Sequence, residues 1–323
     1  MIEVKRYHAQ LANEWDAFVS KSKNGTFILQ REFMDYHQDR FSDHSLMIYQ
    51  DHKLRAVVPA HQKDEVLYAH QGLTYGGFVW HRKIKFDEAF DCFKSALAYA
   101  HSQGMSALNL KDIPRIYAQV PSDELDYFLS LAEAKCIKKD VALVIDYDSA
   151  LGFEKNRREG LNRARRHELK VVCDDNFEGF WRTILIPQLA EKHQAKPVHT
   201  LEEIKLLASR FPESIKQVSV YHRDKLVAGT TVFLTPTVVH PQYVMGDGDK
   251  NMLGSIDLAY EFIINEFAQG RRYFDFNTSS EENGTLLNSG LLFWKQSCGA
   301  RCITVNQYQI ETVRHKDLKL NLI

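Results

Sequence analysis

The chain has 323 residues, 44% hydrophobic and 26% charged, which is length enough for two domains with buried cores. A formal net charge of −1 and a pI near 6.9 exclude wholesale nucleic-acid binding, DNA included, and leave room only for a local basic patch. Five cysteines without a C-x-x-C pair, no apolar leader after Met1 and no apolar run near the ~18 residues of a membrane helix point to a reduced, cytoplasmic protein without a membrane span.

In chain order, a short strand from Glu3 leads into a helix carrying Trp15, Phe18 and Val19, and Asn24-Gly25-Thr26 marks a turn. Phe33 to Tyr36 has helical spacing. Ser45–Gln50 reads as a strand, Asp51–Lys53 as a hairpin turn, Leu54–Ala60 and Val66–Ala69 as further strands. A glycine-bearing segment, Gly72 to Gly77, precedes a helix from about Phe86 to Ser102 that Gly104 closes, and Ala107–Lys111 is the next strand.

The second half repeats this order. Val220–Ala228 can be laid on Ile48–Ala56 with Lys225 on Lys53, an offset of 172, and Ala268–Asn277 on Ser102–Lys111 with Gly270 on Gly104, an offset of 166. Two anchors in one order, six residues apart in offset, fit a duplicated domain with loops of different length. The expected division is an N-terminal domain over 1–148 and a C-terminal domain over 149–323.

Between the copies, Leu151 to Lys170 reads as a basic helix with Leu161 as its apolar contact. Seven Lys/Arg against three Glu from Glu154 to Lys170 make either a solvated face or a clamp for phosphates. Glu178 to Arg210 is mostly helical, broken at Ala195–Thr200, and Thr200 with Glu203 has capping-box spacing. Val238–Val244 is a strand, the run Gly246 to Ser255 leads into a helix from Ile256 to Phe267, and Tyr273–Phe276 alternates like a strand. Asp275 therefore faces away from Phe274 and Phe276 and needs a partner wherever it is buried. The loop after it gathers Asn277, Glu281, Glu282, Asn283 and Asn288 near Lys295, either as a site or as a self-bonded turn.

Strand hairpin, strand, helix, strand is the order of GNAT-type acyltransferases. Through His70–Gly77, Arg157–Arg166, Pro197–Ile204, Gln242-Tyr243, Tyr273–Gly284 and Leu287–Lys295, spread over nearly the whole length, the chain resembles tandem-GNAT, FemAB-related acyltransferases of bacterial cell-envelope and surface-polysaccharide pathways. The resemblance implies an α/β fold of two GNAT-like domains with mixed sheets, and an enzyme that N-acylates an amino group of a nucleotide- or lipid-linked sugar or similar small molecule, using an acyl-CoA donor. A Fem-like ligase using charged tRNA, or a silent module that binds an anionic glycan precursor, are the alternatives. The chain shows only the short basic segment 151–170 for a tRNA.

Amine attack on a carbonyl requires a base, a polarising group and a hold on the donor. His240 and Asp275 are the candidate bases, Tyr243 or Tyr308 the acid. Lys250, Asn251, Gly254 and Ser255, with Arg165 and Arg166, would hold the donor's pyrophosphate at a helix N-terminus. Asn277, Glu281, Glu282, Asn283, Asn288 and Lys295 would bind the acceptor. Only the central glycine of a GNAT pyrophosphate loop is in place, as Gly254, and Asp247 and Asp249 would repel a diphosphate. No G-x-G-x-x-G, Walker, G-x-S-x-G or H-E-x-x-H motif occurs, and His193 and His199 lack ligand spacing, so no metal is expected.

Overall fold

The structure, a computed structural model, describes residues 1–321 apart from the side chain of His193, so the end of the expected second domain and that histidine lie outside the described residues. The chain divides into two compact units, Met1–Asp140 with the segment from Thr304 onward, and Val141–Ile303. In place of a single boundary at 148/149, the chain leaves the first unit at residue 140 and returns to it at 304. No local signal marks either crossing, because each falls inside a strand.

The first unit begins with β1 (Ile2–Arg6), α1 (Ala12–Lys21) and α2 (Arg31–Met34). Strands β2 (Leu46–Gln50), β3 (Lys53–Val58), β4 (His61–Lys63), β5 (Val66–Ala69) and β6 (Val79–Trp80) follow, then α3 (Phe86–Ser102), β7 (Ala107–Lys111), α4 (Glu124–Leu131) and the first half of β8 (Lys135–Asp146). One sheet has the order β1-β2-β3-β6 and is antiparallel throughout. In the other, β5 and β7 are parallel, with Val66 opposite Ala107 and Ala69 opposite Leu110. A parallel pair needs a crossover, and α3 is on it. Glu88 Oε2 accepts the Lys85 N–H at 2.9 Å to start this helix, and Gly104, at φ +79°, ends it. Phe78, Trp80, Phe93 and Phe128 form the core, together with Ile310 and Leu318 of the returning segment.

The second unit begins with the end of β8, α5 (Lys155–Arg166), β9 (Lys170–Asp174), α6 (Phe177–Phe180), α7 (Ile186–His193) and α8 (Leu201–Arg210). Strands β10 (Ile215–His222), β11 (Lys225–Leu234) and β12 (Val238–Gly246) precede α9 (Lys250–Leu253), α10 (Ser255–Glu266) and β13 (Tyr273–Thr278). The ribbon β14 (Ser280–Glu281) and β15 (Leu286–Leu287), α11 (Ser289–Ser297) and the start of β16 (Arg301–Glu311) complete it. Strand order here is β8-β13-β12-β11-β10-β9, antiparallel except for β12 and β13. The expected basic helix is shorter than 151–170. Glu168, at φ +54°, reverses the chain, and Lys170–Asp174 becomes an edge strand on β10. The Thr200 capping box forms, with the Glu203 N–H donating to Thr200 Oγ1 at 3.1 Å and the Thr200 N–H to Glu203 Oε2 at 2.7 Å. Val218, Val232, Ile263 and Phe274 form the core under α10.

The two parallel junctions coincide under the sequence offsets. Val66 falls on Val238 at 172 and Ala107 on Tyr273 at 166; the structure pairs Val66 with Ala107 and Val238 with Tyr273.

Candidate active site

In the second unit β12 and β13 pair only at Val238–Tyr273 and Val239–Phe274, after which they diverge. From His240 on, the β13-side edge of β12 has no strand partner among the described residues. Phe274 and Phe276 turn to the α10 core, which sends His240 and Asp275 to the opposite face at the start of the divergence.

Beyond Asp275 the register of β13 on β8 slips by one, with Thr278 opposite Ala142, and Asn277 adopts φ +63°. An extra residue in a strand leaves its amide off the ladder. The carboxylate of Asp275 takes it up, Oδ1 accepting the Asn277 N–H at 2.7 Å. Its other oxygen lies 3.6 Å from His240 Nδ1, and that nitrogen is also 3.2 Å from the Asp275 carbonyl oxygen. With only acceptors facing Nδ1, the proton belongs there, and Nε2 carries the lone pair. Nε2 is buried without a hydrogen-bond partner among the described residues.

Lys295 completes the cluster. Trp294 packs against Tyr260 and Phe276 and so fixes α11 over the core, leaving Lys295 only 3% exposed. Its Nζ donates to the carbonyls of Asn277 at 2.9 Å and Thr278 at 2.6 Å. An ammonium has three N–H donors, so one is left over. Burial pulls its pKa down to about 8, and the charge of Asp275 works against that fall.

Tyr243 shares the face of His240, because a bulge at Gln242 sets Thr231 opposite Tyr243 and Phe233 opposite His240. Its hydroxyl is 2.6 Å from His199 Nδ1, and burial pushes its pKa up to about 12. Trp181 stacks edge-on against it and donates to Thr231 Oγ1 at 3.1 Å. His199 and Trp181 were not singled out from the sequence as site residues. A proline-flanked loop and a helical stretch give no sign of the strand they cover. Tyr308 lies in the returning segment of the first unit.

The polar loop is largely self-bonded. Asn288 caps α11 by accepting the Leu291 N–H at 2.8 Å, and its Nδ2 donates to Glu281 Oε1 at 2.7 Å. Glu281 lies in the β14–β15 ribbon, and Glu282 and Asn283 hold its turn at φ +46° and +56°.

The residues expected to hold a pyrophosphate lie on α9, at the start of α10 and on α5, and α5 and α10 pack on each other there. Ser255 is fully buried, and a Cβ on Gly254 would lie 2.1 Å from the carbonyl oxygen of Gly160, so α5 sits directly on the start of α10. Arg163 Nε donates to the Asn251 carbonyl at 3.1 Å, Arg157 pairs with buried Asp257 at 2.7 Å, and Arg165 pairs with Glu261 at 3.1 Å. Arg166 is exposed at the end of α5, and Lys250 is half-buried, its pKa lowered by burial. Among the described residues no group of three His, Cys, Asp or Glu could hold a metal, and no helix is long and apolar enough to cross a membrane.

The first unit has a cavity of about 370 Å³ at its own parallel junction, lined by Tyr68, Asn109, Lys111 and Gln307 among others. Under the offsets Tyr68 stands where the second unit has His240, and Asn109 where it has Asp275. Asn109 Oδ1 is buried without a partner among the described residues, and Lys111 donates to the Leu73 carbonyl at 2.8 Å. The imidazole–carboxylate pair thus exists in one copy only.

No protein-family model matches the chain, and no curated protein matches it by sequence. Solved structures do match. FemX superposes with a TM-score of 0.66 at 12% identity, covering 96% of this chain and 98% of the other. L-PGS from Bacillus licheniformis gives 0.62 at 12%, covering 95% and 92%. A tandem GNAT protein from the clavulanic acid biosynthesis pathway gives 0.50 at 9%, covering 97% and 99%. With both parallel junctions in place and such coverage, the chain has the FemAB-related, tandem-GNAT fold.

Proposed function

We propose that the protein is an N-acyltransferase whose reaction centre is the His240–Asp275–Lys295 cluster, moving an activated acyl group to the amino group of a cell-envelope or surface-polysaccharide precursor. The observation that carries this reading is that Asp275 lies between two buried groups, a lysine of lowered pKa with one N–H unspent and an imidazole whose free nitrogen is buried. The acceptor amine attacks the acyl carbon and a C–N bond forms. Nε2 of His240 takes the amine proton, with Asp275 steadying the imidazolium. The spare N–H of Lys295 stabilises the oxyanion. The C–S or C–O bond then breaks, and the leaving sulfur or oxygen receives the proton from His240. A neighbouring fold, the C-terminal domain of a protein named as a lysylphosphatidylglycerol synthetase, supports a lipid-linked, envelope-related acceptor.

Acyl-CoA is the donor in the first form of this reading. A second form, an aminoacyl ester carried by tRNA, is favoured by one observation. The α10 N-terminus that would meet a diphosphate is covered by α5. Turnover of acetyl-CoA, dodecanoyl-CoA and charged tRNA against amine-bearing sugar precursors tests both forms. Lys295→Met and His240→Gln should each lower kcat by about 10²–10³ when assayed well below each variant's own melting temperature. Undiminished turnover in either variant removes that residue from the mechanism.

A further inference from the structure

We propose that the second unit carries a separate ligand site, which takes the apolar chain of a single-chain anionic amphiphile. A cavity of about 500 Å³ lies between segment 147–154, α5 and α10, and all of its lining belongs to this unit. Its walls are mostly apolar, built from Ile145, Phe153, Leu161 and Ile264, with Asn265 and Glu261 as polar lining beside Arg158. Tyr147 lines it as well, but its hydroxyl is spent on the Ile264 carbonyl at 2.8 Å, so the ring contributes an apolar surface. Such walls offer a sugar or nucleotide few hydrogen bonds, and they suit a hydrocarbon chain.

The head group is set by the rim. Arg158 is the arginine that lines the cavity, exposed with no ion pair among the described residues, while the lining carboxylate Glu261 is paired with Arg165 and Arg157 is occupied by Asp257. Five of the seven Lys/Arg over Glu154 to Lys170 remain after those two pairs, against three Glu, so the surrounding field is modestly positive. An anion is therefore favoured over a cation or a neutral head. The site is also distinct from the reaction centre. Ile145 pairs with Phe274 on the α10 face, while His240 and Asp275 occupy the other. The inference therefore stands whether or not the proposed transferase chemistry does.

Calorimetric titration of the whole protein with sodium dodecanoate below its micelle concentration tests this, with dodecanol and dodecyltrimethylammonium as controls. Saturable binding of dodecanoate near one per chain is expected, with little or none of the ammonium. Ala268→Trp, at a half-buried position on the cavity, should abolish it without changing the melting temperature. Arg158→Glu is on the surface and serves even where the first variant misfolds; it should weaken dodecanoate by about three- to tenfold. Absence of saturation, indifference to head charge, or binding unchanged in both variants overturns the proposal. So does sedimentation with anionic phosphatidylglycerol vesicles without dodecanoate binding, which would assign the rim to a bilayer surface.

Discussion

Lys295 combines an ordinary residue type with an unusual position, and its protonation decides what it can do. Held by two carbonyls and 3% exposed, it is pulled down to about 8 by burial, so the ammonium is the working form below that pH and is lost above it. If it stabilises the oxyanion, kcat/KM should fall as pH rises through about 8, and Lys295→Arg should move that limb to higher pH. A profile without a limb near 8 would sink this role. The same shift acts on stability with a definite sign. The unfolded lysine holds its proton up to about 10.5, so between 8 and 10.5 the unfolded state binds more protons and folding gains with rising pH. Relative to Lys295→Met, the wild type should gain at most about 3 kcal/mol over that window in denaturant titrations. His70 gives the opposite end of the scale. Buried against His37 and His61, with ring centroids 5.2 Å away, it is pushed down to about 3 by burial and then by those rings and Arg31. Its neutral form is the stable one, so its contribution is complete above pH 6.5 and is lost as pH falls from 6.5 towards 3. His70→Gln should flatten the acid limb of stability, and an unchanged limb would show that other groups set it.

At the scale of elements, the close fit of α5 on α10 rests on two glycines. Gly254, at φ +72°, would put a Cβ 2.1 Å from Gly160 O, and a Cβ on Gly160 would meet Asp257 Oδ2 at 1.8 Å. Gly254→Ala therefore meets both backbone strain and a backbone clash, and it should cost about 3 kcal/mol or more in chemical denaturation. A loss under 1 kcal/mol would mean that α5 can lift, and would reopen the helix end to a phosphate. This packing is also where the sequence stopped being informative. The duplication was readable because strand pairing and turn glycines are local patterns, and Gly104 and Gly270 carried the register into both parallel junctions. The opposite facing of Asp275 followed from alternation alone. What α5 covers could not be read, since Gly160 looks like a weak point in a basic helix until the partner helix is known. The pairing of Tyr243 with His199 depends on a bulge at Gln242, which no residue pattern announces. The sequence left open whether Lys295 is exposed on its helix; its burial comes from Trp294 anchoring α11, which spacing alone does not announce.

For the whole molecule, duplication followed by divergence leaves one junction with an imidazole–carboxylate pair and the other with Tyr68 and Asn109 in the same places. The first junction has no imidazole or carboxylate at those places, so the proton transfer proposed for His240 and Asp275 has no counterpart there. Asp275→Asn should then lower kcat by about 10² with little change in KM. The donor can be identified separately by stability. A ligand at a hundred times its Kd adds about 2.7 kcal/mol to the folded state, enough to raise the melting temperature visibly. Acetyl-CoA, dodecanoyl-CoA and charged tRNA should be compared at equal saturation against free CoA and uncharged tRNA. With α5 over the start of α10, stabilisation by charged tRNA alone is the expected outcome of the second reading. Stabilisation by both CoA esters and by free CoA would mean that a diphosphate finds another cradle in this fold, and would return acyl-CoA to the donor's place.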